Sequence, residues 1–136
     1  MTVHWDLDGQ LLDLKIGLAQ ALLEAAEAVK RRAIERIQNP PKTGIIYRRG
    51  GVEHQASARG ESPANDTEGL IGSIEVQLFR DELRAVVKFQ TAYAAALEFG
   101  RDDGHIKPRP YARPALMETE EEFMAGIAGA VRVAFQ

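Results

Sequence analysis

Residues 73–90 read SIEVQLFRDELRAVVKFQ. Ser73–Arg80 and Leu83–Gln90 alternate or run apolar on either side of Asp81-Glu82, the pattern of a β-hairpin. It is the clearest hairpin in the chain, and the long flanking segments read as helix, so it decides the class. The sheet is small and antiparallel, and long helices flank it in sequence.

On the N-terminal side the periodicity is helical from Gly9 to about Gln38. Leu11, Leu14, Leu18, Leu22, Ala25, Val29, Ala33 and Ile37 recur at spacings of three and four. Leu12, Ile16, Ala19, Leu23 and Ala26 widen the stripe in the first half, which predicts that this end is buried most deeply. Asp8 reads as the N-cap, with Leu7 and Leu12 placed for a hydrophobic staple. Before it, Val3, Trp5 and Leu7 alternate with polar residues as a short half-buried strand or extended arm. Asn39, Pro40 and Pro41 stop the helix, because proline lacks the donor and disfavours helix in the residue before it.

On the C-terminal side, Thr91 to Phe99 is small and apolar and suits a strand or a short helix. Gly100 to Arg113 is irregular, held extended by Pro108 and Pro110. Pro114 suits the first position of a final helix. Its predicted buried face is Leu116, Phe123, Ile127, Val131 and Ala134. Glu118, Glu120, Glu121 and Glu122 lie in its early turns, where carboxylates complement the helix dipole. Gly126 and Gly129 cost helix propensity, so they are expected to permit close packing against a neighbour. The sum is an α+β fold of one domain over 1–136, two long helices on a small, mainly antiparallel sheet with a long polar loop.

That loop is the stretch RRGGVEHQASARGESPANDTEG, residues 48–69, with Val52 its one large apolar residue. Thr43–Arg49 reads as a short strand, Gly50-Gly51 as a turn into Val52–Gln55, and Glu68–Gly72 as one helical turn. The remainder carries too little apolar surface to offset its ordering entropy within one subunit. A neighbouring subunit is the natural source of the missing surface. Arg48, Arg49 and Arg59 flank or enter the loop, and are candidates for pairing with a neighbour's carboxylates or for facing DNA in a channel.

Composition narrows the chemistry. The 136 residues are 45% hydrophobic with a net charge of −3, an ordinary globular balance and a poor one for a generic nucleic-acid binder. The absence of cysteine removes disulfides, thiolate zinc sites and thiol nucleophiles. No signal peptide or membrane-spanning run is visible, so synthesis in the cytoplasm is expected. No cofactor motif appears. Asp102, Asp103 and His105 offer three ligands without regular spacing, and with Glu98 they define a rival reading, a small metal-dependent hydrolase or nuclease. Ser57, Ser62 and Ser73 lack a nucleophile elbow. Lys30, Arg31, Arg32 and Arg36 form a basic patch on the first helix, read as a solvated face paired with Glu27 and Glu35. Glu98, between Leu97 and Phe99, needs a partner if buried, and Arg109 and Arg113 are the candidates. Pro110, Tyr111 and Pro114 present an aromatic knob for the chain's own core or a neighbour's.

Three segments in order carry a resemblance. They are Ala58–Thr67 with Gly69-Leu70 and Ser73-Ile74; Tyr93-Ala94 with Leu97-Glu98-Phe99-Gly100; and Arg109-Pro110-Tyr111 with Arg113-Pro114-Ala115-Leu116. Together they resemble the neck and tail-completion family of long-tailed bacteriophages. Tyr111 stands where that family usually has phenylalanine, and Glu68 interrupts its Asp-Thr-Gly. The resemblance implies a non-enzymatic virion protein, a ring-forming head–tail connector without cofactor or metal. Its implied partners are copies of itself (a hexamer favoured over a dodecamer), head-completion or stopper proteins, and the tail tube or tail terminator. Contact with passing phage DNA would be transient, and no membrane is involved. On that reading the 48–69 loop is an assembly arm, and Arg59, Glu61 and Asp66 make intersubunit polar contacts. Tyr93, Phe99, Tyr111 and Leu116 then fix the core against which the arm docks. Arg48, Arg49, Glu98, Arg109, Tyr111 and Arg113 complete the subunit-interface candidates. A DNA-contacting module using the arginines is the remaining alternative.

Overall fold

The computed structural model describes residues 1–3, 7–38, 46–55, 69–91, 94–101, 108 and 110–136. The elements run α1 (Asp8–Gln38), β1 (Ile46–Arg49), β2 (Val52–Gln55), α2 (Gly69–Gly72), β3 (Ile74–Phe79), β4 (Arg84–Phe89), α3 (Ala94–Phe99) and α4 (Ala112–Ala134). The fold is α+β, with a two-stranded antiparallel sheet packed against long helices.

The β3–β4 register explains the sheet's two faces. Ile74 lies opposite Phe89, Val76 opposite Val87 and Leu78 opposite Ala85, so the apolar pairs share one face. On the other face Glu75 lies opposite Lys88, Gln77 opposite Val86 and Phe79 opposite Arg84. The Arg84 guanidinium stands 4.3 Å from the Phe79 ring centroid. The connection is a four-residue turn, Arg80 to Leu83, in which Leu83 N–H donates to Arg80 O at 3.3 Å. The apolar face meets Val29, Ala33 and Ile37 of α1, Leu70 of α2, Ala94 of α3 and Tyr111 and Ala115 near α4.

α1 and α4 run antiparallel along a seam of small residues. A Cβ on Gly17 would come 3.0 Å from that of Ala130, and one on Gly126 would come 3.4 Å from that of Ala21. Gly129 faces open space, so of the two α4 glycines only Gly126 serves the packing. The α1-facing stripe of α4 is Ala115, Thr119, Gly126, Ala130 and Ala134. Of the expected stripe, Ala134 is buried and Phe123 and Ile127 are half-buried, whereas Leu116 and Val131 are exposed, with their neighbours Ala115 and Ala130 turned to α1 instead. Helices that approach on glycine and alanine leave no room for leucine or valine between them.

The expected gradient of burial along α1 is reversed. Its buried residues run from Ala19 to Ile37, whereas Leu11, Leu12 and Ile16 in the first half are exposed. α1 begins at Asp8, and Leu11 N–H bonds Leu7 O, so Leu7 is the cap and Asp8 complements the dipole within the first turn. Leu7 and Leu12 are exposed and form no buried staple, and Val3 is exposed too. Trp5 lies outside the described residues, as does the stop at Asn39 to Pro41.

The start of the polar stretch is a regular hairpin. Ile46–Arg49 pairs with Val52–Gln55 through Gly50 and Gly51, whose φ values of 60° and 80° need glycine. Arg48 lies directly opposite Glu53, both exposed. α2 is the expected single turn, and α3 resolves Ala94–Phe99 as helix.

Candidate functional site

Glu98 is the buried carboxylate of the described chain, and its partners among the described residues are backbone amides; of the two expected arginines, Arg113 meets it through its backbone N–H and Arg109 lies outside the described residues. Glu98 Oε2 accepts from the backbone N–H of Tyr111 at 2.7 Å and of Ala112 at 2.9 Å, and Oε1 accepts from Arg113 N–H at 2.8 Å. These are orphan donors of the α4 N-terminus, and Tyr111 at the cap makes no side-chain cap bond of its own. The next residue, Pro114, has no N–H to satisfy. One carboxylate and one proline therefore account for the exposed amides of the first turn, with the charge at the favourable end of the dipole. Helix α4 begins at Ala112, two residues before Pro114, because Glu98 makes that earlier start possible.

Neighbouring groups lock the same joint. The Tyr111 hydroxyl donates to Ala94 O at 3.0 Å, a bond phenylalanine could not make. The Tyr111 ring meets Phe89 edge-on at 5.2 Å and is 1% exposed. Gly100, at φ 79°, ends α3 in the left-handed conformation and donates to Ala96 O. Glu98 and Tyr111 thus serve this chain's own core. Glu98 and Ala94 are one helical turn apart and face inward, which turns Phe99 outward to 72% exposure. Of the four residues expected to form the core for the loop, Tyr111 is buried, Phe99 and Leu116 are exposed, and Tyr93 lies outside the described residues.

A polar cluster ties α1 to α4 beside this joint. Arg32 Nη1 donates to the buried Thr119 Oγ1 at 2.8 Å, and that hydroxyl donates to Ala115 O. Arg32 Nη2 bonds Glu122 at 2.8 Å, and Arg36 bonds Glu118. Hydrogen bonding to Arg32 holds the Glu122 carboxyl below the usual carboxylate range, against the opposing effect of desolvation. The same bond raises the Arg32 guanidinium. Half of the basic patch therefore points to α4 instead of pairing along α1. The spacing Arg32/Arg36 against Glu118/Glu122, one turn on each helix, was the available signal, but only an antiparallel packing gives it meaning.

Between α1, β4, α3 and α4 runs an open, mostly apolar groove of about 1080 Å³. Its floor includes Leu22 and Val29, its sheet wall Val87 and Phe89, and its α4 wall Phe123 and Met124. Arg113 and Glu120 stand on the α4 wall. Beyond the groove, the α1 and α4 ends expose Leu11, Leu12, Ile16, Val131, Val133 and Phe135. Singly exposed apolar residues are ordinary, whereas here six lie on the same end of the helix pair.

Of the other candidates, Arg48 and Arg113 are exposed. The Arg49 side chain, Arg59, Glu61, Asp66, Arg109 and the Asp102, Asp103 and His105 trio lie outside the described residues. Among the described residues no group of three His, Asp or Glu could hold a metal. No described helix is long and apolar enough to cross a membrane. No family model, curated protein or solved structure matches this chain.

Proposed function

We propose that the chain is a structural component of a tailed-bacteriophage virion, a ring-forming connector or tail-completion subunit between the head–neck and the tail tube. One observation carries the reading. The second and third segments of the resemblance, around Leu97–Gly100 and Tyr111–Leu116, meet in a single joint through Glu98, Tyr111 and Gly100. Their residues have architectural work to do there, and Glu98 has its lone pairs committed to backbone amides, which makes it a poor catalytic base.

The exposed apolar groove and helix ends supply the surface that self-association requires. In a ring each subunit presents two different surfaces to its neighbours. The polar 48–69 arm, with Arg59, Glu61 and Asp66, reaches across one of them, and six subunits are favoured over twelve. Head-completion or stopper proteins and the tail tube or terminator close the two sides of the ring, with DNA passing transiently.

Native mass spectrometry of the chain alone and with purified tail tubes tests this reading. Rings, or incorporation into tails, are expected; a strict monomer that never joins tails or virions overturns it. Deleting Gln55–Asp66 should leave a folded chain that fails to assemble.

A further inference from the structure

We propose that the outer face of α4 pairs with the same face of a second copy of this chain, antiparallel and about a two-fold axis. Met117, Met124 and Val131 recur every seven residues on α4, and Phe135 follows one turn later. This spacing places them on one face, turned away from the small-residue seam against α1. All four are exposed, Met117 by 64% and Met124 by 59%. They continue the α4 wall of the groove, which leaves room beside α4 for another helix. Methionine suits such a face because its flexible thioether adapts to a partner's contour.

The charges select the partner and its direction. Glu118 and Glu122 are engaged by Arg36 and Arg32. Among the described residues, exposed Glu120 and Glu121 meet no cation and exposed Arg132 meets no carboxylate. Glu121 and Arg132 flank the same side of the methionine stripe toward opposite ends of α4, about 17 Å apart along the axis, with Glu120 on the other side. A parallel copy would set glutamate beside glutamate. An antiparallel copy sets Glu121 of each chain against Arg132 of the other, on the same side of the stripe, places Met117 across from Phe135, leaves Met124 near the centre, and opposes the helix dipoles. The charge pattern is thus complementary to its own reverse, as an isologous interface requires. The pairing does not rest on the virion reading: it takes the α4 end and the α4 wall of the groove for a two-fold contact and leaves the α1 end and the 48–69 arm to a heterologous ring contact.

Sedimentation over a concentration series is the test. The chain is expected at twice its monomer mass, or in a larger species whose mass Met124→Glu halves. Met124→Glu should weaken pairing by about 100-fold or more, since the charge enters the centre from both copies. Arg132→Glu should weaken it about tenfold, and adding Glu121→Lys should restore it. Met124 is exposed, so far-UV circular dichroism should stay unchanged. In this cysteine-free chain, Met124→Cys should cross-link with a short bismaleimide, whereas Gln20→Cys on the solvent face of α1 should not. A monomer at every concentration, an oligomer indifferent to Met124→Glu, or no rescue by the paired charge swap overturns the proposal; the first would leave the face to a different protein.

Discussion

The α1–α4 pair has a closed end and an open end, built from the same two helices. At the closed end Ile37 is wholly buried, the sheet covers α1, Glu98 caps α4, and Arg32 and Arg36 cross to Thr119, Glu122 and Glu118. At the open end Ile16 is 59% exposed, and Leu11, Leu12, Val133 and Phe135 are exposed with it. The open end is no less hydrophobic in sequence. What differs is coverage: the strands are six residues and span ~20 Å, whereas the 31-residue α1 spans ~46 Å. The core under the sheet gathers on Val29, Ala33 and Ile37, while toward the open end the hairpin turn touches α1 at its surface, in the Lys15–Asp81 ion pair of 3.7 Å. Apolar surface left over on a rigid helix pair is available for association.

The sharpest way to break the comparison is one substitution at both ends. Ile37→Ala should cost about 4 kcal/mol in urea denaturation, because a filled site in a packed core becomes a cavity. Ile16→Ala should cost less than about 0.5 kcal/mol in the monomer. Equal losses would mean that the open end is covered within the chain.

Next in size is the cap. Glu98→Ala should cost about 3 kcal/mol by uncapping the α4 amides. Glu98→Gln should retain part of that, since one amide oxygen still accepts. Hydrogen exchange should then rise first at Ala112 and Arg113, not at the far end of α4.

The glycines probe the seam itself. Gly129→Ala should raise stability by about 0.5–1 kcal/mol, the gain in helix propensity into open space. Gly17→Ala earns the same propensity but must push Ala130 away, so it should be neutral or destabilising in the same thermal assay.

The smallest effect is electrostatic. The depressed Glu122 carboxyl contributes stability that is present above the unfolded-state carboxylate pKa and is lost as pH falls through its lower folded value. Glu122→Gln should therefore lower stability at neutral pH and flatten the acid limb of the stability profile. High salt should shrink the difference. The raised Arg32 guanidinium loses its share only at strongly alkaline pH, so it leaves the acid limb unaffected.

Local patterns in the sequence determined much of the fold. The period of α1, the alternation of β3 and β4, the paired glycines at Gly50-Gly51 and the single turn of α2 each follow from backbone preferences and side-chain spacing, which act within a few residues. The need of Glu98 for a partner was legible too. Tertiary structure alone decided that the partner is a helix N-terminus thirteen residues on, because backbone donors carry no sequence signature. It also decided which stripe of α4 meets α1, since glycine and alanine win by allowing close approach and not by hydrophobicity. And it decided that the widest apolar stripe lies open. Periodicity says that a face wants cover, but only the lengths and placement of the other elements say whether the chain itself supplies it.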